Sequence, residues 1–519
     1  MTAKTLMIMG SSSSAGKSLL AAALCRCFSR RGIRVAPFKA QNMSNNASVC
    51  ADGGEIGRSQ ALQALAAGVA PQTDMNPILL KPEGDSHSQV IVNGRPWQSL
   101  CAKDYFERKR ELWPVVTSAI ARLRSQYELV IIEGAGSPAE LNLADVEIVN
   151  MSVARHCRST VLLVGDIERG GIFAQLLGTM SLLRPQDRSL IQGLVVNKFR
   201  GDRRLFDRGR EILEDRSDVP VLGVLGWLDD LQIPEEDAVA LTKIDSIDGS
   251  LRVAQTTDLD IVVIRLPHIA NFDDFDPLAH EAGVRLHYAA SVDQLARPDV
   301  IILPGTKNTL NDLQWLRTTG LADRIATLSR RGTTIIGICG GYQMLGTNLK
   351  NPDRLESDCE SADGLGLLDV ETTFQANKQT FQVRGEIMDE RMAFGTFGQS
   401  LTGYEIHVGQ TTSRSPWLKR TVLGDSNCIS TLDGARSIDG RVWGCYLHGL
   451  FHNDSFRSAW LRSLGVDPSP VGSGLPAAQN AFASIQFTLD RIADAVEADI
   501  DLNRLEQLIW NTEHTHSNV

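Results

Sequence analysis

A lysine-containing loop of small residues near the start of the chain has the composition of a phosphate-binding loop. An apolar run at residues 5–9 leads into the sequence GSSSSAGKS at 10–18, and a helical stretch begins at Ser18. Backbone N–H groups of such a loop point at phosphate oxygens at a helix N-terminus, and the lysine neutralises the β- and γ-phosphates. The alternative is a Ser/Gly turn that merely caps the helix. The residues predicted to bind nucleotide phosphates are Gly10, Ser14, Gly16, Lys17 and Ser18.

A magnesium ion that accompanies a nucleotide needs oxygen ligands beside this loop. The Ser18 hydroxyl is one predicted ligand, and Glu133, which follows the apolar run 129–132 and precedes Gly-Ala-Gly, is the second. Ends of parallel strands line the ligand crevice of such sheets, although a carboxylate there can also simply face water. Asp52 is a further metal candidate. Asn197 ends another apolar run and is predicted to contact the nucleotide base.

A cysteine between glycines forms a second candidate site. Cys339 follows the apolar run 333–338 within the sequence GICGGYQ, and a helical stretch starts directly after it. Glycines allow the sharp turn that presents a nucleophile above a sheet, and a helix N-terminus lowers the pKa of a thiol. Cys339 is therefore the predicted nucleophile, and the N–H of Gly340 is a predicted oxyanion donor. The alternative is a buried structural cysteine.

A nucleophilic thiol needs a proton-transfer partner from another part of the chain. His448 follows the strand-like run 442–447 and is predicted to be that base. Gly305 lies in a further strand-to-glycine turn, and its backbone is predicted to complete the oxyanion hole.

The elements that must position these residues follow an α/β pattern. Apolar runs alternate with helical stretches, which indicates parallel sheets covered on both faces. The predicted strands are 5–9, 33–38, 129–132, 160–164, 190–197 and 219–225, then 260–266, 284–288, 299–303, 333–338, 367–373, 404–408 and 441–446. A polar, acidic stretch separates the two series. We therefore predict an N-terminal domain at 1–235, a linker at 236–257, a second α/β domain at 258–459 and a helical C-terminal segment at 460–519.

The composition restricts the class of partner. The 519 residues include 52 Lys and Arg against 62 Asp and Glu, which gives a formal net charge of −10. This acidic balance argues against a nucleic acid or an anionic membrane as the partner. The apolar runs are too short to span a bilayer, and the N-terminus lacks the features of a signal peptide. The nine cysteines have no regular spacing, so we expect a cytoplasmic protein without disulfides.

The two candidate sites are chemically complementary. A thiol of this kind can release ammonia from an amide, and a nucleotide site can activate a carboxylate as an acyl phosphate. Without such activation a carboxylate is a poor acceptor of ammonia. The residues therefore predict an enzyme that converts a carboxylate to an amide at the expense of ATP.

Longer motifs surround the residues named above. They are KAQNMSNN at 39–46, EGAGSPAE at 133–140, GDIERGG at 165–171, LPGTKNT at 303–309, GYEIH at 403–407 and YLHG at 446–449. With the loop 10–18 and the segment 337–342, they make the chain similar over essentially its whole length to the cobyric acid synthase family, the glutamine-dependent amidotransferases of cobalamin biosynthesis. The N-terminal half also resembles dethiobiotin synthetase, which shares the early glycine of the phosphate loop.

The resemblance implies an N-terminal P-loop domain of the dethiobiotin synthetase type with a parallel sheet, and a C-terminal class I-like glutamine amidotransferase domain. It implies ATP, Mg²⁺, L-glutamine and adenosylcobyrinic acid a,c-diamide as ligands, with amidation of the b, d, e and g side-chain carboxylates. Cys339 would form a thioester with glutamine and His448 would move the protons. No oligomeric state follows from it.

The resemblance also points to substrate residues and leaves one role open. The residues expected to contact substrate are Asn42, Ser44, Asn45, Asn46, Asp145, Asp166 and Arg169, although an Asn-rich loop can equally be turn chemistry. Many related glutaminases carry a glutamate two residues after the histidine, where this chain has Leu450. Glu371 and Glu405 are the candidates to orient His448. His407 is either a site residue or a hydrogen-bonding residue of a strand or turn.

Three other functions remain open from the sequence. The nearest is cobyrinic acid a,c-diamide synthase, which amidates other carboxylates of the same kind of molecule. The second is an ATPase switch of the chromosome-partition type with an inactive glutaminase-like module, which the intact Cys339 and His448 disfavour. The third is a plain glutaminase, which would leave Lys17 without a role.

Overall fold

The computed structural model describes residues 2–84, 86–229, 231, 258–424, 430–467 and 481–511, without the side chains of residues 144, 145, 393, 481 and 482. The predicted boundary at residue 235 and the predicted linker 236–257 lie outside the described residues.

The N-terminal domain is built on a six-stranded parallel sheet. Its strands, in spatial order, are Val221–Gly226, Ile191–Phe199, Thr160–Asp166, Lys4–Gly10, Leu129–Glu133 and Val35–Phe38. The central strands are continuous apolar runs whose side chains are almost fully buried on both faces, as parallel sheets require. The predicted parallel α/β architecture is confirmed, and the strand ends bring the phosphate loop and Glu133 to one edge.

Helices cover both faces of this sheet. They are Lys17–Arg30, Arg58–Ala67, Ala102–Arg108, Trp113–Gln126, Met151–Cys157, Ile172–Leu182, Pro185–Arg188 and Asp207–Ser217, with short 3₁₀ helices at Thr73–Met75, Lys109–Leu112, Leu141–Val146 and Arg203–Phe206.

The C-terminal helices also belong to the N-terminal domain. Ala481–Asp499 packs against Lys17–Arg30 and Leu502–Trp510 packs against the strand Lys4–Gly10, and the apolar faces of both helices enter the core on that side of the sheet. Ion pairs of 2.7 Å join Asp490 to both Arg26 and Arg30. The two ends of the chain therefore form one domain. The sequence predicted helices in the C-terminal segment but not the domain against which they pack.

The C-terminal domain is built on a second six-stranded sheet. Its strands, in spatial order, are Val284–Ala289, Leu259–Ile264, Val300–Leu303, Thr334–Ile338, Val442–Cys445 and Ala435–Arg436. The first five are parallel and the short last strand is antiparallel. The flanking helices are Asp276–Ala279, Thr309–Thr318, Leu321–Arg330, Gly340–Leu345, Glu390–Ala393 and Asp454–Ser463, with 3₁₀ helices at Phe272–Phe275, Val292–Gln294 and Leu450–His452.

A largely antiparallel sheet packs beside it. The long strands Val370–Ile387 and Ser400–Ser413 pair with each other, and the remaining strands are Asn348–Lys350, Ser361–Asp363, Leu418–Val422 and Ser430–Asp433. The predicted division between residues 459 and 460 falls inside the helix Asp454–Ser463, whose Trp460 and Leu461 pack in this domain's core.

A small sheet and a hairpin of the N-terminal domain lie at the junction with the C-terminal domain. The sheet consists of Gln41–Met43, Ile78–Pro82, His87–Val92 and Arg95–Cys101, and the hairpin of Ala47–Val49 and Glu55–Gly57. Ion pairs cross the junction from Arg58 to Asp273 at 2.6 Å and from Glu83 to Lys307 at 3.0 Å. These six strands were not predicted from the sequence, because three of them have only three residues and the others carry no clear alternation.

Among the described residues, no helix is both long enough and apolar enough to cross a membrane.

The docking of the C-terminal helices gives a first prediction. Leu505 is fully buried in Leu502–Trp510, so Leu505→Ala is expected to destabilise the N-terminal domain by about 2–5 kcal/mol. Gln507 on the exposed side of the same helix is the matched control, and Gln507→Ala should change stability by less than about 0.5 kcal/mol. Urea unfolding followed by circular dichroism measures both, and equal midpoints for the two variants would contradict the packing.

Candidate active site

Cys339 stands on a strained turn between the strand Thr334–Ile338 and the helix Gly340–Leu345. Its backbone has φ 53° and ψ −110°, a conformation that non-glycine residues rarely adopt and that nucleophiles on sharp strand-to-helix turns often do. Gly341 permits the turn, because a side chain there would overlap the carbonyl oxygen of Leu303. The turn places Cys339 on the wall of a cavity above the sheet.

His448 is brought to Cys339 by the neighbouring strand. Val442–Cys445 runs parallel to Thr334–Ile338, and Cys445 lies opposite Ile338. His448 is buried, and its imidazole is close enough to the Cys339 side chain for the two to affect each other electrostatically, while the Cys339 Sγ atom donates a hydrogen bond of 3.5 Å to the carbonyl oxygen of Ile406. Gly305 lies on the other side of the ring, where a Cβ atom would come within 2.9 Å of the His448 Cε1 atom. The structure thus brings together the four predicted residues of the thiol site, including Gly340.

Asp274 is the group that orients His448. Its Oδ2 atom is 2.7 Å from the His448 Nδ1 atom, and its Oδ1 atom accepts a hydrogen bond of 2.8 Å from the Gly449 N–H. Both side chains are buried, which fixes the ring orientation. Asp274 precedes His448 by 174 residues, and no local motif marks it.

The two predicted orienting residues were therefore wrong. Glu371 is exposed and pairs with Lys350 at 2.6 Å. Glu405 accepts from Arg420 at 2.6 Å and lies 3.2 Å from the His407 Nε2 atom. His407 also contacts the carbonyl oxygen of Gly409 through Nδ1, so it serves as a hydrogen-bonding residue of its strand.

The electrostatic setting favours a charged imidazole. Burial opposes the charged form, but Asp274 and Cys339 raise the pKa of His448 to about 10. An imidazolium beside a thiol stabilises the thiolate, which is the reactive form. Asp274, His448 and Cys339 therefore form a line of groups that can hold a proton on the histidine next to the nucleophile.

The phosphate loop joins the strand Lys4–Gly10 to the helix Lys17–Arg30. Ser14 and Gly16 adopt positive φ angles of 60° and 96°, which turn the loop around a central space. The Lys17 ammonium donates to the carbonyl oxygens of Ser12 at 2.9 Å and Gly136 at 3.1 Å. The geometry is that of a loop whose lysine is held over the position of the phosphates.

Glu133 lies at the centre of a buried polar cluster beside this loop. Its Oε1 atom accepts hydrogen bonds from Ser18 at 2.7 Å and Lys39 at 2.9 Å, and its Oε2 atom accepts from Gln63 at 2.6 Å. Burial opposes ionisation, but Lys39 together with these hydrogen bonds holds the pKa of Glu133 below its usual value. A hydroxyl and an ionised carboxylate side by side fit Mg²⁺, which also takes ligands from phosphates and water.

Lys39 was not predicted as a site residue, although it begins the motif KAQNMSNN at 39–46. It follows the strand Val35–Phe38, which pairs with Leu129–Glu133, so its side chain reaches the same sheet edge as Glu133. A lysine directly after an apolar strand was the available signal.

Asp52 does not belong to the metal site. It lies in the turn between Ala47–Val49 and Glu55–Gly57, is exposed, and accepts a hydrogen bond from the Gly54 N–H at 3.0 Å. An Asp that satisfies a nearby backbone N–H in this way is a turn residue.

Asn197 lines a cavity of about 270 Å³ next to the phosphate loop. Its amide donates to the carbonyl oxygen of Ala15 at 2.9 Å, so it also holds the loop in place. Apolar side chains form much of the cavity wall, among them Leu225 and Trp227 and, from the helix Ala481–Asp499, Val496. The size and lining suit a flat heterocyclic base.

The predicted substrate residues separate into two groups. Asn42 donates to Gln60 at 3.1 Å, the Ser44 hydroxyl accepts from the Asn46 N–H at 3.0 Å, and Asn46 accepts from the Phe272 N–H at 3.3 Å. These side chains hold the loop and the domain junction. The Asn45 Oδ1 atom is buried and has no hydrogen-bond partner among the described residues.

The remaining candidates lie around the phosphate loop. Asp166 is buried and accepts from Lys198 at 2.8 Å, and Lys198 in turn donates to the carbonyl oxygen of Ser14 at 2.7 Å. Arg169 is mostly exposed and 3.8 Å from Asp166. The side chain of Asp145 lies outside the described residues.

One helix contacts both sites. In Arg58–Ala67, Gln63 donates to Glu133, whereas Arg58 forms an ion pair with Asp273, the neighbour of Asp274. The phosphate site and the thiol site are therefore linked through a single rigid element.

Comparisons with known proteins cover both domains. Residues 6–239 match the model of a CobQ/CobB/MinD/ParA nucleotide binding domain, and residues 260–456 match that of a CobB/CobQ-like glutamine amidotransferase domain. A cobyric acid synthase of Chloroflexus aurantiacus is 52% identical over 98% of this chain and 100% of its own length. Those of Roseiflexus castenholzii and Sorangium cellulosum are 53% and 47% identical, over 90% and 98% of this chain and 93% and 99% of theirs.

The contact between Asp274 and His448 gives a second prediction. Asp274→Asn removes the negative charge and leaves one acceptor oxygen for both the imidazole and the Gly449 N–H, so the pKa of His448 should fall from about 10 toward its ordinary value of 6.5. NMR titration of histidine-labelled protein measures it, with the His448→Gln spectrum identifying the signal. The exposed Asp293 supplies the control variant, Asp293→Asn. An unchanged titration in Asp274→Asn would remove Asp274 from the site.

Proposed function

The chain belongs to the cobyric acid synthase family, and from this premise we propose that it amidates the b, d, e and g side-chain carboxylates of adenosylcobyrinic acid a,c-diamide with ATP and L-glutamine. Family membership establishes that the chain is an enzyme of glutamine-dependent amidation in cobalamin biosynthesis. The observation that supports the two-step reaction is the presence, on one chain, of the Cys339 site and the Lys17 site on either side of a shared junction.

In the proposed glutaminase step, the Cys339 sulfur attacks the side-chain amide carbon of glutamine. The N–H groups of Gly305 and Gly340 stabilise the oxyanion that forms. His448 gives its proton to the departing nitrogen, which leaves as ammonia, and Asp274 holds the ring in place. His448 then takes a proton from water, and the water oxygen attacks the thioester to release glutamate and the free thiol.

In the proposed ligase step, a substrate carboxylate oxygen attacks the γ-phosphorus of ATP, which gives an acyl phosphate and ADP. Lys17 and the N–H groups of the loop 10–18 bind the phosphates, and Ser18 and Glu133 would hold Mg²⁺. When bound, Mg²⁺ neutralises phosphate charge. Ammonia then attacks the acyl carbon, and phosphate leaves. Lys39 is a further cation at this edge, and Asn45 is the asparagine with an oxygen available for substrate.

The domain assignment is part of the proposal. The ligase domain comprises 1–235 together with the C-terminal helices, because these helices complete its core. The glutaminase domain begins at 258 and extends through the helix Asp454–Ser463. The full-length similarity to cobyric acid synthases supports this activity over the a,c-diamide synthase. A cysteine on a strained turn beside a buried histidine with an orienting aspartate argues against an inactive glutaminase module.

Amidation can be followed by mass spectrometry after incubation with adenosylcobyrinic acid a,c-diamide, Mg²⁺-ATP and glutamine. The wild type is expected to convert up to four carboxylates. Cys339→Ser should lose glutamine-dependent amidation but retain it with ammonium chloride, because ammonia bypasses the thiol step. The control is Cys359→Ser, which changes an exposed cysteine.

Two results would contradict the proposal. Amidation of cobyrinic acid in place of its a,c-diamide would assign the sister activity. Glutamine-dependent amidation that persists in Cys339→Ser would exclude the thiol mechanism.

The cluster around Glu133 gives a further prediction. Glu133→Gln removes an oxygen ligand of Mg²⁺ and the carboxylate charge that Lys39 contacts at 2.9 Å, so ammonia-dependent amidation should fall by about 10²-fold or more. The Mg²⁺ concentration for half-maximal rate should also rise. Glu128→Gln, at an exposed position beside the same strand, is the control. Equal Mg²⁺ dependence in Glu133→Gln and the wild type would exclude Glu133 as a ligand.

A further inference from the structure

A second set of buried charges lines the cavity that contains Cys339. Lys81 from the strand Ile78–Pro82 and Lys378 from Val370–Ile387 both line this cavity, and both form ion pairs with Glu55. The Lys81–Glu55 distance is 2.5 Å. Lys81 and Glu55 belong to the ligase domain and Lys378 to the glutaminase domain, so the cluster spans the junction. The proposed mechanism uses none of these three residues.

This cluster has more positive than negative charge. Two ammonium groups share one carboxylate, and the side chains of Lys81, Lys378 and Glu55 are 4%, 9% and 0% exposed. Lys81 donates to Glu55 and to no other residue that the structure describes, although an ammonium has three N–H donors. Burial and the charges of Lys81 and Lys307 lower the pKa of Lys378 to about 7. The Glu55 carboxylate opposes this shift. A further carboxylate at this position would stabilise both charged lysines.

The opposite charge occurs elsewhere on the same cavity wall. Glu356 lines the cavity, and its Oε2 atom accepts a hydrogen bond from the Thr309 N–H at 2.7 Å. Burial raises the pKa of this carboxyl. Lys307 also lines this cavity and opposes the rise in the pKa of Glu356, but its ammonium is paired with Glu83 at 3.0 Å. The cavity is therefore dipolar, with Lys81 and Lys378 at the positive part and Glu356 at the negative part.

We propose that this cavity binds the α-groups of L-glutamine, with the α-carboxylate against Lys81 and Lys378 and the α-ammonium against Glu356. The inference rests on the proposed glutaminase function and specifies how its substrate is recognised. Free glutamine carries one positive and one negative charge on its α-carbon, and its side-chain amide must reach Cys339. A dipolar wall in the same cavity matches that charge pattern.

The proposed carboxylate subsite combines Lys81 of one domain with Lys378 of the other. Half of the carboxylate subsite comes from the ligase domain, so the glutamine site is complete only when the two domains are docked. Glutamine recognition is thereby tied to the presence of the domain that uses the ammonia.

Substrate analogues that lack one α-group test this assignment. 4-Aminobutanamide is glutamine without the α-carboxylate, and glutaramic acid is glutamine without the α-amino group. In Lys378→Met and in Lys81→Met, kcat/KM for ammonia release from glutamine should fall by about 10- to 100-fold, while that for 4-aminobutanamide changes little. In Glu356→Gln, the preference for glutamine over glutaramic acid should shrink by a similar factor.

Controls separate recognition from folding. Lys350→Met changes an exposed lysine of the same domain and should keep the wild-type preference for glutamine over 4-aminobutanamide. Lys378→Arg retains the charge and should preserve most of that preference, and thermal melts followed by circular dichroism report whether each variant folds. A purely structural role for the lysines would lower activity on both amides equally.

Failure of the glutamine subsite and failure of the glutaminase function give different results. If the wild type releases ammonia from glutamine and the lysine variants keep the wild-type ratio of the two kcat/KM values, the subsite is wrong and the glutaminase function stands. If the wild type releases no ammonia from glutamine, the glutaminase function fails and the subsite fails with it.

Discussion

Buried charges at the domain junction are the constraint on which both sites depend. Arg58 of one domain is paired with Asp273 of the other, and Glu55 is shared between Lys81 of its own domain and Lys378 of the other. Asp273 is fully buried, so loss of Arg58 from the docked domains would leave it without the charge it is paired with, which is strongly destabilising. The junction therefore fixes the relative position of the two domains through charge as well as through packing.

This fixed junction places the two chemistries against common elements. The helix Arg58–Ala67 contacts Glu133 through Gln63 near its middle and Asp273 through Arg58 at its start. Asp273 is the neighbour of Asp274, which orients His448. The Asn-rich loop contributes Asn46, which accepts from the backbone of Phe272 in the same segment. Any displacement of this helix or loop changes contacts at the phosphate site and the thiol site together.

The sequence predicted the helices and strands that have a local signal. It did not predict the contacts between residues that lie far apart in the chain. The parallel sheets followed from continuous apolar runs, and the turns at Lys17 and Cys339 followed from glycines between a strand and a helix. The small sheet at the junction was missed because its strands carry no clear alternation and one of them has only three residues. The C-terminal helices were predicted, but an amphipathic face does not specify which domain it packs against.

The sequence by itself determined which contiguous motifs carry the predicted reactive side chains. Lys17 and Ser18 begin the helix that follows the phosphate loop, and Cys339 and His448 follow the strands Thr334–Ile338 and Val442–Cys445. The alternation of strand and helix brings each pair to the edge of its sheet. Only the tertiary structure decided the roles of Asp274, Lys39 and Lys81. A carboxylate or ammonium acquires its function from the charge it faces, and these three face residues that lie tens to hundreds of positions away in the chain. It likewise showed Asp52 to be a turn residue, because its side chain accepts from the Gly54 N–H and its carbonyl oxygen accepts from Arg95.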